Sequence, residues 1–242
     1  GWRGGVADLR GLPPPGAGAP PAAAGAPPAS GRCDRFRSRL VAGDEGGAWG
    51  VVESLLASGV RPAEVLLELL APALRDVGDA WAAGRLSIAD EHRATAVASR
   101  IVARLGPSHA RPGRRRGTVL LGSPSGDRHA LPTAILADLR RGAGLEAVDL
   151  GPDTPPAALA DAARAADRLV AAVVTVTTSA ALAGVPGTVA PVRRAAPGVP
   201  VLVGGGAVPD AGASRWLGSD GWAPSTEELV ELLDSLAPRR VG

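Results

Sequence analysis

Asp127 and His129 stand two residues apart in SGDRHALP, Ser125 to Pro132, in a chain with three histidines. A neutral imidazole binds a metal through one nitrogen while the other donates to a carboxylate, which fixes the tautomer and raises the ligand's basicity. One loop supplies both parts here. No His or Cys cluster accompanies the pair, and a zinc site built by protein alone needs three or four ligands. The pair therefore suits a metal that arrives with most of its ligands already attached. The plainer reading is a loop histidine capping the next helix. A second set stands in WAAGRLSIADEH, where Trp81 precedes a turn and Glu91 and His92 follow it. By themselves these are a core anchor and a solvated turn.

The elements around both sets can be read from patterning. TVLLG, LEAVDLG, LVAAVVTV and VPVLVGG are short apolar runs separated by helical patterns such as PAALADAARAAD. Continuous apolar strands buried on both faces predict a parallel sheet. Residues 117–238 are therefore expected to form a doubly wound, Rossmann-like α/β domain that binds ligands at the carboxyl ends of its strands. Asp127 and His129 follow the first run, and Gly204 to Gly206 follow the fourth.

Residues 32–106 read as an antiparallel helical bundle. Asp44 is the expected N-cap of a helix running to Gly59. Pro62 opens the next helix, in which Leu66, Leu70, Ala73, Val77 and Trp81 share a face. Ser87 and Asp90 form a capping box for the last helix. Ile88, His92, Thr95, Ser99 and Val102 are expected along one face of it. The hairpin brings Trp81, Glu91 and His92 to one end of the bundle.

Residues 1–31, rich in Pro, Ala and Gly, cannot bury enough side chain to offset their ordering entropy and are expected to be a disordered tether. Residues 107–116 form an Arg-rich linker. Its cluster RPGRRRG offers phosphate contacts, but no recognition helix adjoins it, so no sequence-specific DNA binding is expected. Net charge is +2 and every basic residue is Arg. Aromatics are 2% of the chain, so the core must be built from Ala, Val and Leu. The single cysteine, Cys33, excludes an internal disulfide. No apolar run reaches the roughly 20 residues of a membrane helix, and the N-terminus lacks a signal-peptide core. A cytoplasmic location is expected.

GDRHALP, VTVTTS and PVLVGGG, in this order, resemble the cobalamin-binding domain. The resemblance implies Asp127, Arg128, His129, Thr175, Thr177, Gly204 and Gly205 as cofactor-binding residues. It also implies His129 as the lower cobalt ligand in place of the cofactor's own base. The glycines would line a slot for the displaced nucleotide tail. The family's glycine after the Asp-x-His pair is Pro132 here. WAAGRLSIADEH resembles the Trp-x9-Glu-His signature of CarH-type light sensors, which implies that Trp81, Glu91 and His92 enclose the adenosyl group of adenosylcobalamin. Two features depart from that family. No MerR-type DNA-binding domain is expected beside the Pro/Ala tether, and Ala82 stands where the family carries the histidine that captures cobalt. Ala82 has no donor atom, so a water-ligated state is expected after illumination. His92 lies across the turn and His109 lies in the linker.

Three readings follow. The leading one is a stand-alone cobalamin sensor, light-responsive through adenosylcobalamin, regulating through oligomerisation or a separate protein partner. Methylcobalamin is an alternative form. A related photocobilin-like sensor would also hold a bilin, non-covalently. The second reading is a corrinoid carrier subunit of a methyltransferase system, which shuttles a methyl group and needs the upper face to open; the chain is expected to be a binding or sensor protein more than an enzyme. The third is a fold that persists without cobalamin, for which Pro132 is the support.

Overall fold

A computed structural model describes residues 29–109 and 113–238. The expected tether falls almost wholly on residues outside that range, as do Arg111 and Pro112 of the Arg-rich linker.

The first half is a bundle of α1 (Ala29–Ala42), α2 (Glu45–Ala57), α3 (Pro62–Glu64), α4 (Ala71–Ala82) and α5 (Ile88–Leu105). Its boundaries follow from capping chemistry. Asp44 accepts the Gly47 N–H at 2.8 Å at the start of α2. Gly59, at φ +91°, turns the chain after it. Pro62 is the first residue of α3, where a missing N–H costs nothing. The Ser87–Asp90 capping box is present, with Ser87 N–H donating to Asp90 Oδ2 at 3.0 Å and Asp90 N–H to Ser87 Oγ at 3.1 Å.

Two features differ from the patterning. The helix expected from Pro62 to Trp81 is not uniform, because Val65–Leu70 takes π pitch between α3 and α4. The segment VLLELL is apolar on nearly every side, and the wider turn buries Val65, Leu66, Leu69 and Leu70 together. In α5 the buried face is Ala94, Val97, Ala98, Ile101, Val102 and Leu105. Ile88, His92 and Ser99 lie exposed beside it. An alanine-rich helix has a wide apolar stripe, and packing against α1 selected its alanine side.

The second half is a four-stranded, all-parallel sheet: β1 (Thr118–Gly122), β2 (Glu146–Asp149), β3 (Leu169–Thr175) and β4 (Val201–Gly204), in the order β2-β1-β3-β4. A parallel bridge from Leu202 to Gly221 marks where a fifth strand would lie. Helices α6 (Leu131–Gly142), α7 (Pro156–Ala165), α8 (Val185–Ala195), α9 (Ala211–Trp216) and α10 (Thr226–Leu236) flank it. Pro132 sits in the first turn of α6, so its replacement of glycine leaves that helix intact. The chain leaves β1 towards β2 on one side and returns to β3 on the other. That topological switch point is where sheets of this kind bind ligands.

The two halves share a core. Leu131, Ile135 and Leu139 of α6 are buried in the same cluster as Phe36, Leu70 and Ile101 of the bundle. Ile135→Val should therefore cost about 0.5–1.5 kcal/mol, as for other buried methylene losses, and should shift one common thermal transition. Separate melting of bundle and sheet would contradict the shared core. The start of the sheet half is also tied down. Arg116 donates to the Ala143 and Pro238 carbonyls at 3.1 Å each, and Asp234 accepts from buried Arg140 at 3.0 Å. His109, in a 3₁₀ turn after α5, is buried. No described helix is long and apolar enough to cross a membrane.

Candidate functional site

Asp127 and His129 lie on the loop between β1 and α6, at the switch point. Asp127 is fully buried. Its Oδ1 accepts from His129 Nδ1 at 2.8 Å and from the His129 backbone N–H at 3.2 Å. Its Oδ2 accepts the Thr177 backbone N–H, just beyond β3, at 2.5 Å. One carboxylate thus joins the ends of both central strands and orients the imidazole. A neighbouring loop braces the arrangement. Asp153, held at φ +50°, accepts the Gly126 N–H at 2.7 Å, and its own N–H donates to the Asp127 carbonyl at 2.7 Å.

The electrostatics follow from these contacts. Burial works to raise the Asp127 pKa. Hydrogen bonds from His129 and from the Thr177 and His129 N–H groups outweigh it, and the net value falls. His129 is raised above its ordinary value, first by its hydrogen bond to Asp127. Desolvation opposes this, while the charges of Asp127 and of Glu91 on the bundle favour the cation. The charge of the bundle's acid therefore reaches the sheet's imidazole.

On the bundle side, Glu91 Oε2 accepts from His92 Nδ1 at 2.9 Å and Oε1 accepts from Thr95 Oγ at 2.8 Å. Trp81 ends α4 half exposed, and among the described residues no hydrogen bond joins it to Glu91 or His92. Arg128 is exposed on the loop beside His129.

At the ends of the strands, Thr175 is buried against Ser123, their hydroxyls 2.8 Å apart. Ser123 was missed in the patterning, although a hydroxyl closing the buried strand TVLLG was a usable signal. Thr177 contributes its backbone N–H to Asp127. Gly205, at φ +107°, brings its loop against Val176. A Cβ there would lie 2.4 Å from the Val176 carbonyl oxygen. At Gly204 a Cβ would meet only the Ala223 carbonyl, at 3.8 Å.

These residues fit a corrinoid. A carboxylate only accepts, so the proton it receives sits on His129 Nδ1, and the neutral ring keeps a lone pair on Nε2. The His129 side chain is 43% exposed, so that nitrogen is not sealed in the core. Among the described residues no group of three or more His, Cys, Asp or Glu is placed to hold a metal ion. A metal carried in a macrocycle is the kind this single imidazole suits. Asp127→Ala should weaken cofactor binding by about 10–100-fold, the usual effect of losing an orienting partner. Titration with cobalamin measures it, and unchanged affinity would remove Asp127 from this role.

Comparison with known proteins agrees with the geometry. Residues 32–105 match a family model described as a B12 binding domain, and residues 117–231 match a second model of that description. Among solved structures, the monomethylamine corrinoid protein of Methanosarcina barkeri shares the fold with a TM-score of 0.72 at 18% identity, over 85% of this chain and 99% of that one. Looser matches are the methanol:cobalamin methyltransferase complex MtaBC of Methanosarcina barkeri (TM-score 0.47, 16% identity, 86% of this chain and 80% of that) and a cobalamin-binding protein of Desulfitobacterium hafniense DCB-2 (0.46, 19%, 85% and 98%). No curated protein matches by sequence. Each half of the chain belongs to a B12 binding domain family, and the whole is a cobalamin-binding protein with a corrinoid-protein fold.

Proposed function

We propose that the protein is a cobalamin sensor that holds its cofactor base-off in the cleft between bundle and sheet. One observation carries the cofactor part of this reading: the Asp127-oriented imidazole of His129 at the switch point, with the charge of the bundle's Glu91 reaching it. His129 Nε2 would ligate the cobalt. Asp127 holds its tautomer, and the Thr177 N–H holds Asp127. Gly204, Gly205 and Thr175 border the space for the nucleotide tail. Trp81, Glu91 and His92 would shield the bound cofactor from water on the bundle side. Adenosylcobalamin bound there supplies a light-sensitive cobalt–carbon bond. The bundle face it contacts would pass the change to an oligomer contact or a separate partner.

An absorption spectrum of the protein with adenosylcobalamin, dark and then illuminated, tests this. A histidine-on spectrum that changes with light supports it, and a spectrum of free cofactor rejects it. The second reading is a corrinoid carrier of methyl groups. The fold shared with the monomethylamine corrinoid protein favours it, because that likeness runs over nearly the whole of both folded chains. Methyl transfer from methylcobalamin-loaded protein to a methyltransferase partner, with no response to light, would select the carrier.

The same groups set a pH dependence. His129 must be neutral at Nε2 to ligate, and its pKa lies above the ordinary 6.5. As pH falls through that raised value, a proton competes for Nε2 and affinity should drop, approaching about tenfold per pH unit. Fold stability without cofactor runs the other way. The His129 contribution is complete below 6.5 and is lost as pH rises through the raised value. The Asp127 contribution is present above 3.8 and is lost as pH falls through its lowered value. Apo stability should therefore gain most from the pair between these values, while cobalamin is held best above them. Titrations and apo melting curves across pH check both slopes.

A further inference from the structure

Among the described residues only two that are not glycine have positive φ, Asp153 at +50° and Arg168 at +48°. Arg168 stands just before β3, at the amino end of the sheet and away from the site. Asp153 stands in the loop after β2, at the carboxyl end where the site lies. Aspartate enters this left-handed region more readily than most residues, yet glycine would do so without steric cost. Core packing does not explain the choice. The Asp153 side chain is exposed, and its one hydrogen bond among the described residues is to Gly126. A strained residue without a packing role, placed beside a binding site, points to function.

Its contacts converge on the loop that carries the imidazole. Asp153 Oδ1 accepts the Gly126 N–H, and the Asp153 N–H donates to the Asp127 carbonyl, both at 2.7 Å. The chain on either side is joined to the same loop. Ser123 N–H donates to the Gly151 carbonyl and Thr154 N–H to the Ser123 carbonyl, at 3.0 Å each. Gly126 needs such restraint. It lies at φ +91°, and a Cβ there would meet nothing within 4 Å, so hydrogen bonds and not packing hold it. Asp127 is thus gripped twice: its carbonyl by the loop after β2, and its carboxylate by the Thr177 N–H after β3.

We propose that Asp153 is a positioning residue for the cobalt ligand: by clamping Gly126 and Asp127 it sets the Asp127–His129 pair in ligating geometry before the cofactor arrives. This rests on the cofactor reading above. Ordering the loop in advance removes a cost that binding would otherwise bear.

Titration of the full chain with hydroxocobalamin, followed by absorption, tests this. Asp153→Ala should weaken binding by about tenfold or more, as for other lost outer partners, and lower the share of histidine-on cofactor. Asp153→Asn keeps an acceptor oxygen and tolerates the same φ, so it should bind like the wild type. Asp153→Gly relieves the strain but lacks the acceptor. It should therefore melt close to the wild type without cofactor and still bind more weakly. Because Asp153 acts through Asp127, adding Asp153→Ala to Asp127→Ala should weaken binding by much less than the product of the two single losses. In the apo protein, amide exchange at Gly126 should quicken in Asp153→Ala and Asp153→Gly but not in Asp153→Asn. Wild-type affinity in both Asp153→Ala and Asp153→Gly, or fully multiplicative losses in the double variant, would overturn the proposal and leave His129 as the ligand. A wild type that does not bind hydroxocobalamin overturns the cofactor reading and this role with it.

Discussion

His129→Ala should abolish the histidine-on state, leaving any residual cobalamin with the absorption spectrum of free cofactor. The expectation follows from the donor set. Among the described residues of the sheet half, His129 is the only imidazole, since His92 and His109 belong to the bundle and the turn after it. No other side chain on the β1–α6 loop offers a neutral nitrogen. The guanidinium of Arg128 is a donor only. The loss reaches past ligation. Fully buried Asp127 would keep the Thr177 and residue-129 N–H donors but lose its imidazole partner. Leaving a buried acceptor short of a partner costs about 1–3 kcal/mol, so the apo variant should also melt earlier. The two effects separate on adding free imidazole. Ligation, and with it the spectrum, should return, while the loop is not rejoined to the ligand. A variant that binds with the wild-type spectrum would show that His129 is not the ligand.

How far such a site is legible depends on which physical signal each residue leaves. The four strands were visible because a parallel sheet buried on both faces must be built from unbroken apolar runs, and each run became a strand within a residue or two. The strand order then places Asp127 and Thr177 side by side, which no local pattern states. Capping residues were legible for a similar reason, since Asp44 and Ser87 meet needs that lie within four residues. What escaped was set at longer range. The pairing of Ser123 with Thr175 spans 52 positions. The face of α5 was misjudged because Ala94 and Ala98 carry little hydrophobic weight, although close approach to α1 makes them core. The π pitch of Val65–Leu70 follows from crowding four buried side chains into six residues, a tertiary demand that helix periodicity does not encode. Glu91 and His92 stood out in WAAGRLSIADEH, but the hydrogen bond from Thr95 to Glu91 emerged only from side-chain geometry.

Gly205→Ala should prevent the loop after β4 from forming in its present place, while Gly204→Ala should leave the empty protein stable. The paired glycines look equivalent in sequence, and the family resemblance gives both to the nucleotide tail. Their surroundings differ. Gly205 has φ +107°, where a residue with a side chain is strained by about 1–3 kcal/mol. Its added Cβ would also lie 2.4 Å from the oxygen and 2.8 Å from the nitrogen of Val176, both of them backbone atoms that cannot rotate away. The Val176 N–H donates to the Gly204 carbonyl at 2.7 Å and its carbonyl accepts the Ala207 N–H at 3.1 Å. Moving Val176 would therefore break the join between the loops after β3 and β4. It would also pull on Thr177, whose N–H holds Asp127. Gly205→Ala is thus expected to lower apo stability and to weaken cobalamin binding through the loss of that anchor. Gly204 has ordinary backbone geometry and room for a methyl group. If the tail passes over it, Gly204→Ala should weaken binding of full-length cobalamin but not of cobinamide, which lacks the nucleotide. Equal losses for the two cofactors would move the tail slot away from Gly204, and an unchanged melting temperature for Gly205→Ala would show that the Val176 contact yields more easily than its geometry implies.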